Sequence, residues 1–170
     1  MPLVPFESLP DSARTWVFAA DANLSKSQAG QLLHAVDEFL SQWKAHGAPL
    51  TVGRDWRYDR FLTVAVDQST AGASGCSIDG LFRILKSLQE RIGASLVGSS
   101  QVFFRDAVGA IRVVTREDFV KLARKGEITL ATAVFDPTVI LLAEWRAQFE
   151  SDVAHSWHGA LIKERGTQTA

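Results

Sequence analysis

The segment Phe61-Leu-Thr-Val-Ala-Val66 constrains this chain more than any other. Its side chains are apolar on both faces of an extended backbone, apart from Thr63. A strand of that kind must be covered from two sides, so it belongs at the centre of a sheet. Covering it needs partners, and two helical stripes supply one layer. Ala29, Leu32, Leu33, Val36, Phe39, Leu40 and Trp43 recur at helical spacing, as do Ile78, Leu81, Phe82, Leu85, Leu88 and Ile92. Ser25 stands three residues before Gln28, a capping-box pattern that opens the first helix. Gly47 and Pro49 are expected to end it, and Gly93 to end the second.

The remaining elements follow from local signals. Arg14 to Ala20 alternates as a first strand, with Trp16 and Phe18 on one face. Leu50 to Tyr58 reads as a strand joined to the central one through Asp59-Arg60. Residues 101–105 and 110–114 flank a Gly-containing loop at hairpin spacing. Thr115 and Asp118 cap a short helix that stops near Gly126. Glu127 to Val134 reads as a last strand, and Asp136-Pro137 as the start of a last helix. The order predicts one α+β domain over residues 1–150, with helices packed on a mostly antiparallel sheet. Its first six elements have the order of a ferredoxin-like βαββαβ unit. Residues 151–170 read as a partly docked tail.

Composition narrows the function. The 170 residues are 46% hydrophobic and 22% charged, with a formal net charge of -1. That excludes a disordered chain and argues against a general nucleic-acid coat or a polybasic membrane binder. Met1 to Pro10 lacks the basic and apolar regions of a signal peptide, and no run is apolar enough to span a bilayer. A single cysteine, Cys76, rules out a disulfide framework, so a cytoplasmic location is expected.

Several strings form a recognisable series. They are Phe6-Glu-Ser-Leu-Pro10 with Arg14-x-Trp16, Trp43-Lys-Ala-His-Gly47, Phe61 to Asp67, Ala73-Ser-Gly-Cys-Ser-Ile-Asp79 and Ser156-Trp-His158. In this order the chain resembles an uncharacterised family of small bacterial proteins often labelled "ABC transporter ATPase". The resemblance covers roughly Pro5 to His158 and implies no catalytic residue. The label does not fit the residues. A P-loop needs a lysine on the phosphates, and the nearest string, Gly93-Ala-Ser-Leu-Val-Gly-Ser-Ser100, has Ser99 in its place and follows a helix. The chain is therefore not expected to be a P-loop ATPase.

Two candidate sites remain. The first is the strand–loop–helix unit from Asp67 to Asp79. Ser74, Gly75, Cys76 and Ser77 lie at a predicted helix start, where free amides and the helix dipole favour an anion or a thiolate. A small-ligand or anion-binding protein is the leading expectation, and a thiol-dependent enzyme is one form of it. In that form Cys76 is the nucleophile, His46 or His158 the base, and Asp67 the orienting acid, with Trp157 a ligand wall. The bland alternative is a buried cysteine beside an ordinary cap, with Asp79 complementing the dipole. His155 and His158 alone do not make a metal site, and no cofactor is expected.

The second candidate is a strand face. Arg54, Trp56, Tyr58 and Arg60 alternate, which places two rings between two guanidinium groups. Such a face could stack bases or dock a partner protein. Nucleic acid is the weaker of these partners, because a footprint for it is normally more basic. Equally, the arginine stems could simply cover the rings.

Overall fold

The computed structural model describes residues 3–69, 73, 75–97 and 101–166, and of residues 75, 76, 97 and 164–166 the backbone alone. In chain order these form β1 (Arg14–Ala20), α1 (Lys26–Ser41), β2 (Lys44–Ala45), β3 (Ala48–Pro49), β4 (Thr51–Arg57), β5 (Phe61–Asp67), α2 (Gly75–Ile92) and β6 (Leu96–Val97). There follow β7 (Val102–Arg105), β8 (Ile111–Val114), α3 (Arg116–Arg124), β9 (Ala133–Phe135), α4 (Leu142–Gln148), β10 (Glu150–Asp152) and α5 (His158–Gly166). The chain is an α+β protein whose strand pairs are antiparallel. No helix among the described residues is long and apolar enough to cross a membrane.

β5 is central, as its two apolar faces require. The first sheet runs β4-β5-β1-β6 and the second β10-β9-β7-β8. Alternation along each strand then sorts side chains into three cores. Leu62, Val64 and Val66 of β5, with Phe18 and Ala20 of β1, face Leu32, Val36 and Leu40 of α1 and Leu81, Leu85 and Leu88 of α2. Phe61 and Ala65 face the other way, onto Phe103 of β7, Phe135 of β9, and Leu142 and Trp145 of α4. Phe104 and Val134 on the far side of the second sheet meet Phe119 of α3, with Leu161 and Ile162 of α5 packed against them. The layers are helices, sheet, sheet, helices. Each fully buried Val, Leu or Phe side chain contributes roughly 1.5–3 kcal/mol, so both sheets are stabilised on both faces.

The capping predictions hold at both helix starts. Ser25 and Gln28 form a reciprocal capping box, and the Thr115 hydroxyl accepts from Asp118 N. Four other expectations are corrected. α1 ends at Ser41, before Gly47, because residues 44–49 form a β-hairpin. Its two turn residues, His46 and Gly47, have φ of 51° and 80°, which suits a twist-matched hairpin turn. The strand expected over Glu127 to Val134 is limited to Ala133–Phe135.

The last helix does not start at Pro137. Asp136 Oδ1 accepts from Thr138 N across a turn at Pro137–Thr138, and the chain from Val139 runs beside β1, with Thr15 N donating to Ile140 O and Leu142 N to Ala13 O. α4 begins only at Leu142. Finally, the region expected as a partly docked tail carries regular structure through residue 166. β10 pairs with β9 through Ser151↔Val134 and Asp152↔Ala133, and Val153 and His158 are fully buried.

Candidate functional site

The loop from Asp67 to Asp79 is described in part. Ser74 lies outside the described residues, as does the Cys76 side chain. Gly75 begins α2, so Ser77 sits inside the first turn. It joins the helix to the hairpin: its Oγ donates to Lys44 O, and its carbonyl accepts from Trp43 Nε1, each at 3.0 Å. Asp67 turns onto its own loop. Its Oδ1 accepts from Ser69 Oγ at 2.7 Å and Ser69 N at 2.9 Å, which holds the carboxyl below the usual range. Asp79 is exposed on α2, where its carbonyl accepts from Arg83 Nε.

The histidines are placed differently from the sequence expectation. His46 is exposed at the tip of the β2–β3 hairpin, beyond the end of α1 at Ser41. His158 is fully buried against Phe119, within the core beneath α3 and α5. No described residue of α2 contributes to that core. Its Nδ1 meets Ser156 Oγ at 2.9 Å, while its Nε2 has no partner among the described residues. Burial pushes its pKa down to about 4, Asp136 opposing and Arg116 reinforcing the shift. Trp157 stacks on the His158 ring at 3.9 Å and carries the Arg116 guanidinium above it, so it closes this core. Among the described residues no three His, Cys, Asp or Glu side chains gather as a metal site.

The Arg54–Arg60 face does not exist as a shared surface. β4 ends at Arg57, and Tyr58 and Asp59 both take positive φ, 59° and 54°. That turn breaks the alternation. Arg54 forms a bidentate pair with Asp37 at 2.8 Å, which raises its pKa, and Trp56 packs against the α1–α2 core. Tyr58 instead points at Phe61 and Phe135 beneath Arg105. Arg60 is buried, where desolvation lowers its pKa, and it donates to Asn23 Oδ1 and to the carbonyls of Ala20 and Ile111. It ties the first sheet to β8.

A cleft lies elsewhere. It measures about 650 Å³ and runs between β1, the middle of α2 and segment 137–140. Trp16 and Phe18 form its floor, with Phe82, Leu85 and Leu96 along one wall and Val139 and Ile140 along the other. Phe82 and Ile140 remain 48% and 50% exposed although apolar, and Phe82 meets Phe18 edge-on at 5.4 Å. Arg14, Lys86 and Gln89 are the longer polar groups of the lining. Arg14 is held in place: its Nη1 donates to Thr15 O and Ile140 O, and its guanidinium lies 4.9 Å over the Trp16 ring.

Sequence reasoning missed this cleft. A signal was present in Arg14-x-Trp16-x-Phe18, a cation beside two rings on one face of a strand. The opposite wall had none, because segment 137–140 reads as the opening of a helix. No protein-family model, curated protein sequence or solved structure matches the chain.

Proposed function

We propose that this chain binds a small organic molecule in the cleft between β1, α2 and residues 137–140. The observation that carries the reading is a ring-floored concavity of about 650 Å³ with two half-exposed apolar side chains at its rim. Ligand sites are typically apolar clefts of about 300–1,000 Å³ holding a few placed polar groups. Phe82 and Ile140 would gain burial from an occupant. The small-ligand expectation is retained, but its place moves along α2 from the first turn to Phe82–Gln89.

The test is a fragment screen by saturation-transfer NMR on the full chain, repeated on Phe82→Glu. Phe82 is half exposed, so the variant is expected to fold. Aromatic fragments should bind the native chain and lose most of their signal on the variant. Absence of binding to the native chain, or binding that Phe82→Glu leaves intact, would overturn the reading.

A further inference from the structure

We infer that the ligand of this cleft is an anion with a flat apolar body, an aryl or aryl-alkyl carboxylate or a close analogue; this rests on the cleft being a ligand site at all. The polar groups are biased in one direction. Among the described lining residues there is no aspartate or glutamate, while Arg14 of β1 and Lys86 of α2 supply two positive charges. Gln89 adds two further donors through its Nε2, while Leu96 N already occupies one lone pair of its Oε1. A lining of that kind recognises acceptors.

Arg14 sharpens the point. Arg54, Arg57, Arg105 and Arg146 each hold a carboxylate of the chain itself. Arg14 has only neutral partners among the described residues, two carbonyls and the Trp16 ring. A guanidinium has five N–H donors in a fixed fork, and two carbonyl contacts leave a part of that fork open. It is positioned before any ligand arrives, so little side-chain entropy is lost on binding. Charge-assisted hydrogen bonds to a carboxylate are about twice as strong as neutral ones, and the low-dielectric floor of Trp16 and Phe18 strengthens them further. The rings select the body, since Phe18 and Phe82 already meet edge-to-face and an added ring extends that packing.

The experiment compares 2-naphthoate with 2-naphthamide, equal in shape and different in charge, by calorimetric titration of the full chain. The indole resonance of Trp16 reports the place of binding. Naphthoate is expected to bind at least tenfold more tightly, to shift the Trp16 indole, and to lose that advantage on Lys86→Glu, a change at an exposed position. Equal affinities, or an advantage that survives Lys86→Glu, would overturn the anion inference and leave the cleft standing as a ligand site. If neither compound moves the Trp16 resonance, the ligand-site reading falls and the inference with it.

Discussion

The indole Nε1–H of Trp145 donates to the hydroxyl of Thr63 at 2.9 Å, with both residues buried. Thr63 is the one polar side chain among the otherwise apolar residues 61–66 of β5, and α4 reaches across the inter-sheet core to use it. Thr63→Val keeps shape and burial but removes the acceptor. A buried donor left without a partner costs about 1–3 kcal/mol. Urea unfolding should therefore show that loss with an unchanged dependence on urea, whereas a difference under about 0.5 kcal/mol would mean that the bond contributes little.

Acid should weaken the fold through His158. Its pKa is lowered from 6.5 to about 4 by burial, with Arg116 acting in the same direction and Asp136 against it. The unfolded chain thus takes up a proton at a pH where the native chain refuses one. The stability associated with a neutral His158 is complete above about 6.5 and is lost as pH falls toward 4, amounting to roughly 3 kcal/mol over that window. His158→Phe removes the titrating group and the unpartnered Nε2 together. The difference in unfolding free energy between native and variant chains, followed from pH 7.5 to 4, should change by that order; a constant difference would refute the assignment.

Two glycines should respond with opposite sign to the same substitution. A Cβ on Gly53 of β4 would lie 2.9 Å from Val4 O and 3.0 Å from Phe6 Cα, backbone atoms that cannot rotate away. The amino-terminal segment is fastened there by Val4 N donating to Val52 O. Gly53→Ala should cost about 1–3 kcal/mol, the usual scale of overpacking. Gly30, exposed in α1, has nothing within 4 Å of its added Cβ, so Gly30→Ala should stabilise by about 0.5–1 kcal/mol. Thermal melts of the two variants on either side of the native Tm check both signs at once.

These residues also indicate what was legible in the sequence. The doubly apolar β5, the stripe of α2 and the two capping patterns report local periodicity and local hydrogen bonding. They place the central strand, the antiparallel sheet and both helix starts. Whatever depended on distant segments was hidden. Leu142 and Trp145 read as a plain helix stripe, and nothing in the chain announces that a turn at Pro137–Thr138 is followed by residues that run beside β1, bonded to Thr15 N and, just before the strand, to Ala13 O. Tyr58 read as continuing a face, since its positive φ has no Gly or Asn to signal it. The cleft joins β1, α2 and that same segment, so it could not be seen until all three were placed.

The carboxy-terminal region provides the last prediction. Read as a tail, residues 151–170 would be dispensable, and a chain ending at Glu150 would melt near the native temperature. The structure argues otherwise. Ser151 and Asp152 complete β10 on the edge of the second sheet, Val153 is fully buried, and Trp157, Leu161 and Ile162 pack on the core of Phe104, Phe119 and Val134. Removing them exposes the far face of β7 and β9 together with the inner face of α3. One fully buried large apolar side chain is worth about 2–5 kcal/mol, so losing buried Val153 together with the partly buried Trp157, Leu161 and Ile162 is comparable to the whole stability of a domain. The shortened chain should bind 1-anilinonaphthalene-8-sulfonate strongly and show no cooperative melt. A cooperative transition within a few degrees of the native one would show instead that the two sheets and α1–α4 fold without this segment.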